Sequence, residues 1–407
     1  MNIKKPFLTA TFFVTVCIYA QDSLSVKEQA EQYAQKAVSS WLSSSRNEAV
    51  ESLRKINPDD AVSAWEIILD KSRNPELKIE AIANISKLRD RRNQSSIIEQ
   101  LDSEFSDVRL AAISILKKEG DDRVYPKILQ MSQSDNPVFR VYAAEALTYL
   151  YDKRFLPIVT SMIKDENKSI RLMIIKLIAE NRIQETLTSL KNIALQDADY
   201  EVVAAAAEAL SAFNDSSSGY IYIKLLSHSE YLVRKTASAK IARFRISSAV
   251  NALNDQLSVE NNDYLKNVYM DIIVSFRTSS VKGIEKIALT DSYPQLRIKA
   301  VAALGNLRSE RSSDVLIRSL SDPDSRVRAE ACNSLALLDS RKSTPRMVVM
   351  LKNENDLYVR TAALYALEKI RDKSTIIPIY DILYDEKDPF FRMLLNNALR
   401  RMIEKSI

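Results

Sequence analysis

Cysteine, histidine and glycine are scarce in this sequence, and each scarcity excludes a class of site. The 407 residues include two cysteines, one histidine and four glycines. Two cysteines are too few to form the several disulfides of a disulfide-rich domain, and one histidine is too few for the His/Cys cluster of a zinc site. Few glycines leave no glycine-rich loop to cradle a phosphate. The sequence therefore predicts neither catalytic residues nor a cofactor.

Concentrated positive charge is also missing. The formal net charge is +5, from 58 basic and 53 acidic residues that are interspersed along the chain. A nucleic-acid site usually requires a concentrated basic footprint, so nucleic acid is not expected as a partner. The abundant residues, chiefly Ala, Leu, Ile, Glu, Lys and Arg, favour a nearly all-helical protein.

Residues 1–20 have the pattern of an export signal. Lysines at positions 4 and 5 precede a mostly apolar run over residues 7–19, and Ala20 ends that run. We expect cleavage after Ala20 and a mature chain that is periplasmic or otherwise exported. The run is shorter than the about 20 residues that span a membrane, and no later segment is apolar enough to be a span.

The two cysteines bear on this expectation in different ways. Cys17 raises the alternative of a lipid anchor, although Val16 before it is bulkier than the residues such sites carry. Removal of the leader leaves Cys332 alone, so no disulfide can form within the mature chain. Cys332 follows a predicted core alanine, so we expect it to be a small buried residue rather than a nucleophile.

One phrase of thirteen residues returns along the chain. It reads DNPVFRVYAAEAL at 135–147, SYPQLRIKAVAAL at 292–304 and NDLYVRTAALYAL at 355–367. Its basic residue marks an anchor position that recurs every 31 or 32 residues. The eleven anchors are Lys78, Arg109, Arg140, Arg171, Val203, Arg234, Lys266, Arg297, Arg328, Arg360 and Arg392. So regular a period predicts a repeat array.

The columns around the anchor predict two helices in each repeat. Apolar residues one before and seven after the anchor, with a small residue three after it, share one helix face. Asn or Asp stands four before most anchors, often with proline next, which favours a helix start. A polar turn comes about twelve residues after the anchor, and a second apolar helix such as LPIVTSMI follows. One such pair cannot bury its apolar face alone, so neighbouring pairs must stack.

These columns resemble HEAT repeats, and the short period is similar to that of the PBS-lyase-like class. The resemblance covers about residues 74–403. It implies an all-α fold, a right-handed α-solenoid or superhelix of about eleven helix pairs. We assign that solenoid to residues 73–407 and a helical N-terminal cap to 21–72, with Trp41 and Trp65 expected in the cap's core. The class includes bilin lyases, a diiron hydroxylase, DNA glycosylases and plain scaffolds, so the resemblance leaves the function open.

The resemblance also implies a structural role for the anchor arginines. In HEAT repeats, similar arginines and turn aspartates form a ladder between adjacent units, and guanidinium groups suit such charge-assisted pairs. The anchors assigned to this ladder are Arg109, Arg140, Arg171, Arg234, Arg297, Arg328, Arg360 and Arg392. The turn aspartates assigned to it are Asp90, Asp121, Asp152, Asp215 and Asp372. We expect the ladder to be broken or rerouted at Lys78, Val203 and Lys266.

A second arginine column stands eleven residues after the anchor. Its members are Arg89, Arg182, Arg245, Arg277, Arg308 and Arg371. Cations at this point complement the dipole at the end of the first helix, which explains the column without a ligand. The alternative is a candidate partner-binding edge that faces an acidic protein or an anionic polymer.

The sequence favours binding over catalysis. We expect an exported, non-enzymatic scaffold or adaptor that holds partner proteins in the bacterial cell envelope, through an extended repeat surface. A lyase-type enzyme of the PBS-lyase-like class and an anionic-polymer binder are the alternatives. His228 falls between repeats and is expected to be an exposed loop residue.

Overall fold

The computed structural model describes residues 24–88 and 94–404. Within these ranges every regular element is helical, with 24 α-helices that we number α1 to α24. The all-α prediction is therefore confirmed for the described part of the chain. The export signal at 1–20, the possible lipid anchor at Cys17, and both Arg89 and Asp90 lie outside the described residues.

Three helices precede the first repeat: α1 (Val26–Ser39), α2 (Ser43–Arg54) and α3 (Pro58–Lys71). Ser25 and Glu28 form a capping box that starts α1. Trp65 on α3 is 3% exposed, as predicted, whereas Trp41 is 88% exposed. The prediction for Trp41 was wrong because α1 ends at Ser39, so the tryptophan falls in the break before α2 rather than on a buried helix face.

Each repeat contains a longer first helix and a shorter second helix. The first helices are α4 (Pro75–Ser86), α6 (Ser106–Glu119), α8 (Pro137–Leu150), α10 (Lys168–Asn181), α12 (Tyr200–Leu210), α14 (Tyr231–Arg243), α16 (Asp263–Ser275), α18 (Pro294–Leu307), α20 (Ser325–Leu337), α22 (Leu357–Ile370) and α24 (Pro389–Glu404). The second helices are α5 (Gln94–Glu99), α7 (Val124–Ser132), α9 (Leu156–Met162), α11 (Leu187–Gln196), α13 (Gly219–Leu225), α15 (Val250–Leu257), α17 (Lys282–Thr290), α19 (Ser313–Ser319), α21 (Thr344–Asn353) and α23 (Ile376–Asp385).

The helices form two compact units, one ending at Ser189 and the other beginning at Leu190. In the first unit, α4 packs on α6 and α8 on α10. In the second unit, α18 packs on α20 and α20 on α22. Each first helix in these pairs therefore rests on the first helix of the next repeat, which is the neighbour-to-neighbour stacking of an α-solenoid.

The predicted core columns are buried, with one exception. The alanines three after the anchor are 0% exposed, and the Leu or Ile seven after the anchor is at most 5% exposed in every repeat. Ten of the eleven residues just before the anchor are buried, but Phe139 is 36% exposed. Phe139 lies instead edge-on to Tyr142, with ring centroids 6.2 Å apart, so its ring packs along the helix surface rather than into the core.

The predicted helix starts are also confirmed. Eight Asn or Asp side chains four before the anchor accept backbone N–H groups of the first turn. They are Asn74, Asn136, Asn167, Asp199, Asn262, Asp324, Asp356 and Asp388. Each such cap stabilises its helix by about 1 kcal/mol.

Helices α18 and α20 make a close approach at Gly305. A Cβ atom at this position would lie 2.5 Å from the Ser334 Oγ and 2.8 Å from the Ser334 Cα. The backbone of the next first helix occupies the space that any side chain at 305 would need. Ser334 in turn donates its hydroxyl to the Val301 carbonyl at 3.0 Å.

Candidate functional site

The anchor arginine joins two loops, as Arg297 shows. Its Nε and Nη2 donate to the Asp322 carboxylate at 2.8 and 2.7 Å. Its Nη1 donates to the carbonyls of Asp291, at 2.8 Å, and Ser292, at 3.4 Å. Because Asp291 precedes helix α18 and Asp322 follows helix α19, one guanidinium holds both ends of its own repeat.

The same geometry recurs, and it reveals a column that the sequence analysis missed. In six repeats, the residue six before the anchor is a carboxylate that pairs with the preceding anchor. These loop acids are Asp165, bound by Arg140, Glu260, bound by Arg234, Asp291, bound by Lys266, Asp322, bound by Arg297, Glu354, bound by Arg328, and Glu386, bound by Arg360. An alignment of the repeats shows this column in the sequence, because Asp197 also stands six residues before its anchor, Val203.

Three of the loop acids, Asp165, Asp291 and Asp322, contact the anchors on both of their sides. The Asp291 carboxylate accepts from the Lys266 Nζ at 2.7 Å, while its carbonyl accepts from Arg297. The Asp322 carbonyl likewise accepts from the Arg328 Nη1 at 2.9 Å. In the second unit the contacts therefore continue without a break from Lys266 to Glu354, and we call the series of anchors and loop acids the ladder.

The structure corrects the predicted partners of the ladder. The four turn aspartates that the structure describes, Asp121, Asp152, Asp215 and Asp372, start the turns between helices rather than pairing with the anchors. Asp152, Asp215 and Asp372 accept the backbone N–H two residues later, and Asp121 does the same for Arg123. A carboxylate at the start of a turn satisfies N–H groups that the turn itself leaves unpaired, so its role is to cap the turn.

The departures from the anchor pattern behave differently from one another. Val203 is buried, and His228 replaces the loop acid that would face it; the His228 Nδ1 accepts from the Glu230 backbone N–H at 3.1 Å. Cation and carboxylate are thus replaced together. Lys266 keeps its pair, contrary to prediction, whereas Lys78 is rerouted to the carbonyl of Leu69.

Two anchor arginines also lack a loop acid. Arg109 donates its Nε to Glu145 at 2.8 Å and lies 3.8 Å from the centroid of the Tyr142 ring. Arg392, on the last first helix, is exposed and forms no side-chain hydrogen bond or ion pair with the described residues. Arg171 donates its Nη1 to the Asp165 and Glu166 carbonyls at 2.8 and 3.0 Å.

The ladder lowers the pKa of its glutamates. Burial raises the pKa of Glu260, but hydrogen bonds from Arg234 and from the Asn262 backbone outweigh burial and hold the pKa below 4.5. The pKa of Glu354 is lowered in the same way, against the effect of burial, by Arg328. These carboxylates are therefore charged when the ladder is formed.

The second arginine column adopts a left-handed backbone. Its described members Arg182, Arg245, Arg277, Arg308 and Arg371 have φ between 49° and 56°. Gly120, Asn214 and Asp339 occupy the same position in other repeats, also with positive φ. The column is therefore the residue that ends the first helix, where glycine or asparagine is usual. A left-handed arginine costs about 1–2 kcal/mol, which the favourable helix-dipole term of about 0.3–1 kcal/mol offsets only in part.

The arginines of this column in the second unit are exposed, and we call Arg245, Arg277, Arg308 and Arg371 the arginine row. The Arg245 Nη2 donates to the Ser275 carbonyl at 3.2 Å. Among the described residues, the other three guanidinium groups have no hydrogen bond or ion pair. In the first unit, Arg182 is likewise exposed.

A cavity of about 250 Å³ opens beside the arginine row, near Arg245. Leu210, Phe244 and Ile246 contribute apolar walls, and Asn214 and Asp215 add polar groups to the lining. Tyr222 also lines the cavity and is 2% exposed, yet its hydroxyl has no hydrogen-bond partner among the described residues. Burial raises the pKa of Tyr222, so the phenol stays protonated and is available as a donor.

Exposed aromatic rings line the other end of the first helices in the second unit. They lie at or next to the N-terminus of six of its seven first helices. This aromatic row comprises Tyr200, Tyr231, Tyr264, Tyr293, Tyr358 and Phe390, which are 38% to 61% exposed. The Lys235 ammonium lies 5.9 Å from the ring centroids of both Tyr231 and Tyr264, so it bridges neighbouring members. The row does not form a column in the sequence, because its position relative to the anchor shifts by one or two residues between repeats.

Cys332 and His228, the residues considered for chemical reactivity, are held in the fold by their neighbours. Cys332 is fully buried, as predicted, and burial raises the pKa of its thiol to about 12. His228 is partly buried in its loop, with its carbonyl accepting from Arg234 at 2.9 Å. In the described ranges, no three His, Cys, Asp or Glu residues are arranged to hold a metal ion. None of the helices described is both long and apolar enough to cross a membrane.

The chain matches one family model and several solved structures. The model for HEAT repeats matches residues 62–147, 125–211, 281–368 and 328–400. Kap121p bound to RanGTP is similar at 16% identity and a TM-score of 0.50, over 93% of this chain and 48% of that chain. Kap121p alone gives 15% identity and a TM-score of 0.49, over 93% of this chain and 49% of that chain. No curated protein matches the sequence.

An engineered protein also matches, at 18% identity and a TM-score of 0.27, over 92% of this chain and 98% of that chain. The chain spans about half the length of the Kap121p chains that it matches. At these identities the likeness concerns the fold alone.

Proposed function

This chain belongs to the HEAT-repeat family, and from that premise we propose that it is a non-enzymatic scaffold or adaptor that holds partner proteins. The export pattern at residues 1–20 supports a place for it in the bacterial cell envelope. Helix repeats present long surfaces that bind by area and shape, which suits a holding function better than chemistry on a small substrate.

The aromatic row carries this proposal. Tyrosine and phenylalanine are enriched at protein interfaces because a rigid ring buries a large area at a small entropic cost. Six such rings exposed at equivalent positions of successive repeats are not needed for the core, since each first helix buries its own apolar columns. Exposed aromatic groups arranged in this way favour a protein interface.

The fold is compatible with this use. Kap121p, which shares the fold, is known in a complex with RanGTP. We infer that the repeats of this chain present a partner surface by the same stacking of helix pairs, without transferring any particular partner.

The proposal is tested with the triple variant Tyr264→Ala, Tyr293→Ala, Tyr358→Ala. The mature chain and the variant are crosslinked in their own cell envelope, and adducts are identified by mass spectrometry. We expect the variant to lose the protein adducts of the wild type, because it removes half of the aromatic row.

The matched control replaces three exposed tyrosines outside the row, Tyr149, Tyr220 and Tyr365, with alanine. This control should retain the adducts. Adducts that persist unchanged in the Tyr264, Tyr293 and Tyr358 variant would show that the row does not hold a partner, and the proposal would then fail.

A further inference from the structure

We propose that the arginine row and the cavity beside it bind an extended, glutamate-rich segment of a protein partner. This inference rests on the proposed scaffold function and names the chemistry of one part of its partner. It concerns a different end of the repeats from the aromatic row, so the two surfaces can be tested separately.

The residue type in the arginine row is not explained by the backbone. Asn214 and Gly120 occupy the same left-handed position, so the fold accepts smaller residues that adopt this conformation more readily. The anchors of the same repeats, Lys266, Arg297 and Arg360, are engaged by loop acids, but Arg277, Arg308 and Arg371 have no carboxylate partner in the described part of the chain. Arginine at these positions therefore offers free charge-assisted donors to a ligand.

The surroundings of the row favour an anion. The exposed cation Arg243 ends helix α14, and the turns that follow the first helices add Arg311 and Arg341. Two acids in these turns are engaged: Asp215 pairs with Lys191 at 2.6 Å, and Asp372 accepts from the Thr344 hydroxyl at 2.7 Å. Two further exposed acids, Glu310 and Asp339, are outnumbered by the exposed arginines. The electrostatic field along this edge attracts a negatively charged chain.

The cavity decides between an acidic polypeptide and a simple polyanion. Its apolar walls suit the methylene groups of a glutamate side chain, and the Asp215 carboxylate in its lining is neutralised by Lys191 at 2.6 Å. The Tyr222 hydroxyl, which has no partner among the described residues, can donate to the carboxylate at the tip. A polyphosphate has charge but no apolar stem to fill such a space. The geometry thus points to glutamate, with one side chain in the cavity and others on the arginines.

The spacing of the row fits an extended segment. Packed helices lie about 8–10 Å apart, and an extended chain advances about 3.3 Å per residue, so about one residue in three would face each arginine. Arg245, Arg277 and Arg308 belong to consecutive repeats and present three such positions in order.

The test uses a fluorescent peptide of about twelve glutamates, which is long enough for about four repeats. Binding is measured at low salt for the wild type and for Arg245→Asn, Arg277→Asn, Arg308→Asn. Asparagine is chosen because position 214 already holds it, so the backbone is preserved, and circular dichroism verifies folding. We expect the triple variant to weaken binding by about tenfold or more.

The control removes three positive charges elsewhere in the second unit, with Arg318→Gln, Lys352→Gln and Lys387→Gln. These residues lie at or just after the ends of second helices. The control should bind the peptide about as tightly as the wild type. Equal weakening in both triple variants would show that only net charge matters, and would overturn the inference.

A second variant, Tyr222→Phe, separates the two kinds of anion. Removal of a buried hydroxyl that has no protein partner should not lower stability, but it should weaken the glutamate peptide by about threefold or more. Inorganic polyphosphate serves as the comparison probe. If polyphosphate binds as tightly and the Tyr222 change affects neither probe, the row is a general polyanion site and the inference is wrong.

The outcome is distinguishable from failure of the scaffold function. The crosslinked protein adducts could depend on the aromatic row and persist in the arginine variant, while the glutamate peptide does not bind at all. That result would support the scaffold function and overturn only the inference of a glutamate-rich partner segment. Loss of peptide affinity in the arginine variant alone supports the inference.

Discussion

At the scale of single residues, burial rather than distance sets the value of an ion pair. Arg297 contacts Asp322 and Arg326 contacts Asp324, both at 2.7 Å. The side chains of the first pair are 9% and 7% exposed, whereas Arg326 is 54% exposed. Water screens the second pair, but an unpaired carboxylate in the first would be left partly desolvated.

We therefore expect Arg297→Gln to lower the free energy of unfolding by about 3 kcal/mol. Urea unfolding followed by circular dichroism measures the change. Arg326→Gln is the control and should have little effect. Similar losses for both variants would contradict the assignment of the ladder as a buried structural series.

The left-handed arginines make a second prediction at this scale. Arg308→Gly should raise the free energy of unfolding by about 0.5–1 kcal/mol, because glycine relieves a cost of about 1–2 kcal/mol but loses some chain entropy. Thermal unfolding is the measurement.

Arg311→Gly is the control for that change, since Arg311 follows in the next turn without a positive φ. It should give no gain in stability. A loss of stability at position 308 as large as at 311 would mean that the Arg308 side chain contributes to the fold.

The sequence could predict anchors but not their partners. The anchors recur in register, so period alone locates them, and the resemblance then suggested the turn aspartates. The loop acids lie at a constant distance from the following anchor but at a distance of 25 or 26 residues from the anchor they pair with. Pairing depends on which loop folds next to which helix, and that is a property of the stacked helices.

At the scale of helices, local signals were strong enough to predict most boundaries. Asn74 and Asp356 begin helices because their side chains satisfy N–H groups within the same turn. Trp41 and Phe139 show the limit, because helical spacing says which face a residue shares but not whether that face is covered. Burial is decided by the neighbouring helix.

The contact between α18 and α20 gives a prediction for a helix pair. Gly305→Ala should lower the free energy of unfolding by about 1–3 kcal/mol, since a Cβ would collide with the Ser334 backbone. Chemical unfolding measures the loss.

Gly219→Ala is the matched control, because a Cβ there would meet its nearest atom, in Ile246, at 3.6 Å. This change should be neutral or slightly stabilising, as expected for alanine at the start of a helix. If Gly305→Ala were equally harmless, α18 and α20 would have to be further apart than described.

At the scale of the whole molecule, the ladder makes the free energy of unfolding depend on pH in the acidic range. The pKa values of Glu260, Glu354 and Glu386 are lowered in the folded state, so the unfolded chain binds more protons below pH 4.5. The contribution of these glutamates to the free energy of unfolding is complete above that pH, and it is lost as the pH falls through the lowered pKa values.

We expect the triple variant Glu260→Gln, Glu354→Gln, Glu386→Gln to be less stable than the wild type at neutral pH and to lose less stability on acidification to about pH 4 and below. Urea unfolding at a series of pH values measures the slope. Glu180→Gln, at an exposed position, should leave the slope unchanged. An unaltered slope in the triple variant would show that other carboxylates control acid unfolding.

The constant six-residue step from each loop acid to the next anchor has a practical consequence for protein engineering. Repeats of 31 and 32 residues differ only upstream of this step, so the extra residue is accommodated in the turn or the second helix. An epitope tag spliced into the turn after a first helix should be tolerated. The same tag placed between Asp322 and Arg328 would separate the Asp322 carbonyl from the Arg328 guanidinium that donates to it. Because the Asp322 carboxylate also accepts from Arg297, the insertion would disturb the contacts of two neighbouring anchors.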